Sequence, residues 1–256
     1  MMRELLVRGM LVGVLAGLLA FAFARTFGEP NVDRAISFEE SHASIEAGHV
    51  HDAMPGMAPS SDHGHDHGDG EELVSRTTQA GVGLFTGVMA YGIAFGGLFA
   101  LAFGVAWGRV GRLGPRGLAA LIASVGYAVV VLVPQLKYPA NPPAVGLPET
   151  IGSRTGLFFV MLLISVIAAV LATWVRGRLV RPFGTWNATL AAGAIFVAVI
   201  AEAMLLLPSV NEVPADFPAA VLWQFRVASL GTEAVLWLTL GLLFGYLTER
   251  RMARVG

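Results

Sequence analysis

Residues 155–207 read TGLFFVMLLISVIAAVLATWV (155–175), RGRLVRPFGT (176–185) and WNATLAAGAIFVAVIAEAMLLL (186–207). Two apolar runs, each long enough to carry an α-helix across about 30 Å of hydrocarbon, flank a short segment holding Arg176, Arg178, Arg181 and Pro182. In lipid every backbone N–H and C=O must find a partner within its own segment, so runs of this length are helices. A membrane barrel would instead show segments of about ten residues with alternating polarity. The fold class is therefore all-α, a polytopic membrane helix bundle.

The same pattern recurs outward from this stretch, at Leu5–Ala24, Ala80–Trp107, Gly117–Pro134 and Val227–Leu247. That makes six predicted transmembrane helices. Composition agrees: the 256 residues are 55% hydrophobic and 14% charged, with mean hydropathy +0.67, against about 25% charged in soluble domains. The chain divides into an N-terminal anchor (1–24), a polar loop (25–79) and a five-helix membrane domain (80–256) with a Pro-rich outer segment at 134–150. Arg3, Arg8 and Ala22-Phe23-Ala24 also fit a cleaved secretory signal. The apolar run exceeds the usual length of such a signal, so it reads as a retained anchor; cleavage would leave five spans.

Charge sets the orientation. Arg3, Arg8, Arg109, Arg112, Arg116, Arg176, Arg178, Arg181, Arg250, Arg251 and Arg254 fall on one side of six spans. Arg25, Arg34, Arg76, Lys137, Arg154 and Arg226 fall on the other, mixed with most of the acids. The positive-inside rule then places both termini in the cytoplasm of a bacterial inner membrane, with the polar loop outside. Trp107, Trp174, Trp186 and Trp223 near span ends suit an interfacial belt. Glycines four apart (Gly13 and Gly17, Gly83 and Gly87, Gly92 and Gly96, Gly104 and Gly108, Gly241 and Gly245) let helices approach closely in lipid.

All 6 histidines lie between His42 and His67: His42, His49, His51, His63, His65 and His67, with Asp66 inside the densest run and Met54 and Met57 beside it. The stretch is rich in Gly, Asp, Pro and Ser, so it is expected to be disordered without a ligand. Imidazole with carboxylate suits first-row divalent metals, and such a tract holds Cu, Ni or Zn at least as well as Co. Its expected role is metal capture outside the membrane, weakening below about pH 6.5 as imidazoles protonate.

Two acids lie within spans, Glu202 and Glu233. A charge in hydrocarbon costs at least about 2.5–3.5 kcal/mol, so such residues normally face a bundle interior or a wet path. Arg226, Ser229 and Glu233 share one helix face, with Thr232 adjacent, which would let Arg226 bias Glu233 toward ionisation. The Pro-rich connection contributes Lys137, Tyr138 and Asn141. These eight residues are the expected transport path. There is no cysteine, hence no disulfide or thiolate site. P-loop and hydrolase motifs are also lacking, so no enzyme and no cofactor is expected, and net charge −1 gives no sign of nucleic acid binding.

The runs LKYPANPPAVGLPETIGSR (136–154) and FRVASLGTEAVLWLTLGLLFGYLTER (225–250), with a short anchor followed by an acidic, His-bearing loop, resemble the CbtA family of predicted cobalt transporter subunits. That resemblance implies a divalent-metal permease or permease subunit, carrying Co²⁺ inward for cobalamin synthesis, with a small one-span, His-bearing partner, CbtB. Where the family pattern tends to carry Gln, this chain has Glu233; an amide would offer an oxygen ligand without charge. The alternative reading from the residues is a non-transporting membrane metal-binding or assembly protein for copper or nickel.

Overall fold

The computed structural model describes residues 2–52 and 75–255, with side chains described for 2–43 and 75–254. Among the described residues all regular structure is helical. Five helices are long and apolar enough to cross a bilayer: α1 (Met2–Ala43), α2 (Arg76–Ala106), α3 (Pro115–Lys137), α4 (Pro148–Leu206) and α5 (Ala219–Arg254). Their apolar surface is largely uncovered, with Leu11, Leu98, Val105, Leu163, Val170, Val197 and Leu242 all exposed. Lipid is the solvent that such side chains match, so the chain is a multi-pass membrane protein.

The fourth helix contains the break that the sequence pattern predicts. Gly184 sits at φ +75°, a conformation that strains any residue with a Cβ, and Pro182 just before it removes a backbone donor. Arg176 Nε donates to Thr189 Oγ1 at 3.0 Å across the break. In a continuous helix those residues would stand about 20 Å apart. The chain therefore folds back, and the arms 151–183 and 185–206 pack on each other: Met161 and Ala168 of one share a core with Ile200 and Ala203 of the other, closed by Val133 and Tyr138 of α3 and its exit. The fully buried Ser165 locks the first arm to α3 by donating to the Val129 carbonyl at 2.8 Å.

A second core joins α1, α2, α3 and α5 through Val12, Ala16, Phe99, Phe103, Leu118, Leu236 and Phe244. At its centre the backbones of α1 and α2 touch. A Cβ on Gly13 would be driven into the Gly92 carbonyl, and one on Gly9 or Gly96 into the carbonyl of the other. Not every glycine pair in the sequence serves this purpose. Gly83 has nothing closer than its own chain's Thr78 carbonyl at 3.4 Å, and Gly87 has nothing within 4 Å.

The bundle has two distinct ends. At one, Arg8 donates to Thr248 at 3.1 Å, Glu4 pairs with Arg251 at 3.5 Å and Arg116 with Glu249 at 2.5 Å. The 176–184 turn lies at this same end, because the first arm of α4 runs antiparallel to α3. All eleven cations assigned to one side by the sequence thus gather here. The other end holds the exit of α1, the 138–150 connection and the 207–218 connection.

Residues 25–52 depart from the expected loop: the first helix runs on through them. Hydropathy marks where a helix leaves lipid, not where it stops. Here the extension is held by local and distant contacts. Arg25 pairs with Glu29 one turn on, Asn31 Nδ2 donates to the Phe27 carbonyl at 2.8 Å, and Ala35 is buried against Val145 and Phe217. Arg34 reaches Gln224 at 2.8 Å. Where the chain returns, Arg76 pairs with Glu29 at 2.6 Å and Asp33 at 3.0 Å. The expectations for His63, His65, His67 and Asp66, and for the side chains of His49 and His51, lie outside the described residues.

Candidate functional site

Three helices wall the space beside Glu233. Ala20 comes from α1, Gly87, Val88 and Tyr91 from α2, and Thr232, Glu233 and Leu236 from α5, around a cavity of about 260 Å³. The glycine seam holds α1 and α2 together beside this space. Tyr91 donates its hydroxyl to Glu233 Oε2 at 3.3 Å. The Tyr91 ring is fixed on Phe95, with centroids 4.2 Å apart, and Phe95 sits edge-on to the buried Trp237. Thr232 donates to the Ala228 carbonyl at 2.9 Å, one turn back. A carboxylate and two hydroxyls thus bring oxygen donors to one half-buried space, the chemistry that a hard or borderline divalent cation accepts.

Arg226 lies seven residues outward, about 10 Å along the helix, with Ser229 half-buried between. A shared helix face would let Arg226 bias Glu233, but its guanidinium turns the other way. Its Nε donates to the Ala140 carbonyl at 3.3 Å and its Nη2 to Asn141 Oδ1 at 2.8 Å. Four expected path residues, Lys137, Tyr138, Asn141 and Arg226, therefore come together, but in a different place from Glu233. They line a larger cavity of about 960 Å³ between the Pro-rich connection, the start of α4 and the 207–218 connection.

That larger cavity is clamped at several points. Lys137 Nζ donates to the Met204 carbonyl at 2.8 Å, and Tyr138 donates its hydroxyl to the Pro208 carbonyl at 2.8 Å. Glu212 Oε2 accepts from the Leu147 N–H at 2.9 Å and the Thr150 hydroxyl at 2.8 Å, and lies 3.4 Å from Arg154 Nε. These contacts, the Leu147 N–H foremost, hold the Glu212 carboxyl below the ordinary carboxylate range. Sequence reasoning missed Arg154, Glu212 and Tyr91. The two charges pair across 58 residues of chain, which no local spacing reveals. Tyr91 carried a usable signal: a phenol four residues beyond Gly87 inside an otherwise apolar, Gly-rich span.

Glu202 is not brought to Glu233. It is exposed on the second arm of α4 and lines neither cavity. His42 is held against the 207–218 connection. Its Nδ1 lies 3.1 Å from the Phe38 carbonyl and its Nε2 against the Asp216 carboxylate. Both ring nitrogens are thus engaged by the protein in this arrangement. The His42 contact holds the Asp216 carboxyl below its ordinary range. No group of three or more His, Asp or Glu poised for a metal occurs among the described residues.

A family model described as "Probable cobalt transporter subunit (CbtA)" matches residues 2–249. No curated protein and no solved structure matches the chain.

Proposed function

This chain belongs to the CbtA family of probable cobalt transporter subunits, and from that premise we propose that it is the membrane-embedded subunit that passes Co²⁺ inward. The observation that carries the reading is Glu233, an acid inside a span, facing Tyr91 and Thr232 in a protein-walled cavity. A carboxylate there lowers the cost of moving a dication through a low-dielectric region. The membrane potential suffices as a driving force, since two charges moved through 100 mV release about 4.6 kcal/mol.

On this reading α4 contributes two crossings, one per arm, which gives six in all. Both arms are long enough: at 1.5 Å per residue the shorter one, 185–206, extends about 33 Å. The end rich in arginine faces the cytoplasm. The His-rich stretch between α1 and α2, with His49, His51, His63, His65, His67 and Asp66, captures metal outside and raises its local concentration; it does not choose the metal. A small one-span, His-bearing protein of the CbtB kind is the proposed partner, since a subunit implies an assembly. The product serves cobalamin synthesis.

The test is Co²⁺ uptake by vesicles holding the chain together with that partner. Glu233→Ala should abolish uptake at every metal concentration. Glu233→Gln separates charge from oxygen ligation: retained uptake means that an amide oxygen is enough. Replacing His63, His65 and His67 by Ala should raise the Co²⁺ concentration needed for half-maximal uptake and leave the maximum unchanged. Full uptake by Glu233→Ala would sink the reading.

A further inference from the structure

The larger cavity carries the wrong charge for a cation. Its charged lining consists of Lys137, Arg154, Arg226 and Glu212, three cations against one carboxylate. Glu212 is moreover committed. One of its oxygens receives the Leu147 N–H, the Thr150 hydroxyl and the approach of Arg154. Lys137 and Arg226 have no acid partner among the described residues. Each is tethered through neutral oxygens, Met204 O for the first, Ala140 O and Asn141 Oδ1 for the second.

Tethering of this kind aims a cation without neutralising it. Lys137 has three N–H donors and uses one. Arg226 has five and uses two in these contacts. Arg154 is already paired: its Nε lies 3.4 Å from Glu212 Oε2 and its Nη2 donates to the Leu147 carbonyl at 3.2 Å, so the surplus charge rests on Lys137 and Arg226. The remaining walls are apolar, from Phe158, Val210 and the prolines. A volume of about 960 Å³ lies within the range of small-ligand sites.

We infer that this cavity is a binding site for an oxyanion, a carboxylate or phosphate group carried on a small ligand, held by Lys137 and Arg226. Guanidinium and ammonium groups with spare donors in a partly dry pocket are the usual recognition elements for such groups. A bare divalent cation meets net repulsion here. The inference stands apart from the transport reading: it concerns another cavity, and its readout does not involve metal flux.

The chain provides its own probe. Lys137 is its single lysine, so acylation by an amine-reactive reagent, located by mass spectrometry, reports on this site without mutation. Full-length protein in a phosphate-free maltoside detergent is labelled alone, with inorganic phosphate, with citrate, with phosphatidylglycerol, or with Co²⁺ chloride. An anion at about ten times its Kd fills about nine-tenths of the sites, so labelling should slow about tenfold. Slowing by phosphate or citrate identifies a soluble anion, and slowing by phosphatidylglycerol alone identifies a lipid headgroup as the occupant. In either case Arg226→Gln should remove the protection while the protein still elutes as a monodisperse species. If no oxyanion protects Lys137, or if Co²⁺ protects it and the anions do not, the inference is overturned. Should Arg226→Gln fail to fold, Asn141→Ala, which frees the same guanidinium, must shift the protecting concentration for the inference to stand.

Discussion

The space beside Glu233 and the space behind the proline connection differ in every respect that matters for an ion. The first is small, lined by residues of three helices, and has a carboxylate as its only charged wall. The second is nearly four times larger, built mostly from connections at the bundle's end, and carries a surplus of two positive charges. Both contain residues that the sequence singled out. Volume alone would choose the larger as the mouth of a cation path, and electrostatics chooses the smaller. A single route through Lys137, Arg226 and both acids, as composition invited, would ask a dication to pass two unpaired cations before meeting its first free carboxylate.

Breaking the walls separates the two spaces most strongly. Gly96→Leu places a side chain against the Gly9 carbonyl and Gly13 and parts α1 from α2. Overpacking of this kind costs about 1–3 kcal/mol or more. The expected outcome is a sharp drop in thermal stability and in monodisperse protein after extraction, read by scanning calorimetry and size-exclusion chromatography. The α3–α4 packing around Met161 and Ile200 makes no use of this seam, so its backbone protection in hydrogen exchange should persist.

Acid separates them next. Because the pKa of Glu212 is depressed in the fold, its clamp contributes stability above the unfolded carboxylate value of about 4.3. That contribution is lost only as pH falls through the lower, folded value. Exchange of the Leu147 amide, corrected for intrinsic rate, should therefore stay slow down to about pH 5. The proposed metal capture by the histidines should already have faded by then, below about pH 6.5. Glu212→Gln should speed Leu147 exchange at neutral pH. An unchanged rate in that variant would show that the larger cavity does not depend on this carboxylate.

Within the smaller cavity, Tyr91→Phe removes one long hydrogen bond, worth about 0.5–1.5 kcal/mol. Uptake in vesicles should fall by no more than about tenfold, far short of Glu233→Ala. The smallest effect expected is that of Glu202→Ala. Its carboxylate is exposed one turn before the end of its helix, so uptake should stay within about twofold of the parent. A large loss there would mean that a second path runs along α4.

Much of this architecture was legible in the sequence, and the limits have physical causes. The spans, the turn after Arg181-Pro182 and the gathering of arginines at one end follow from hydropathy and charge, which lipid enforces residue by residue. Glycine spacing located the seam only in part. Gly13, Gly92 and Gly96 meet a partner backbone, whereas Gly108 instead supplies a positive-φ turn, because spacing marks small residues without saying what faces them. The continuation of α1 past Ala24 was hidden, since Ala35 is buried by Phe217 and Val145 from distant connections. The partition of the site residues was hidden for the same reason. Arg226 shares a helical face with Glu233, and only the Pro-rich connection decides which way its guanidinium turns.

The unbroken first helix also bears on energetics. At 1.5 Å per residue its 42 residues extend about 63 Å, twice the thickness of a bilayer's hydrocarbon. Its far end is docked on the 207–218 connection through Phe38, Phe217, His42 and Asp216. The transmembrane potential drops across hydrocarbon, so on the proposed topology the far end of the helix would stand outside the field. Loading there should be indifferent to voltage. On the proposed transport reading, the roughly 2.3 kcal/mol per charge that each 100 mV supplies would act only on ions that have come down to the level of Glu233, and α1 would be a spacer between an equilibrium step and a driven one.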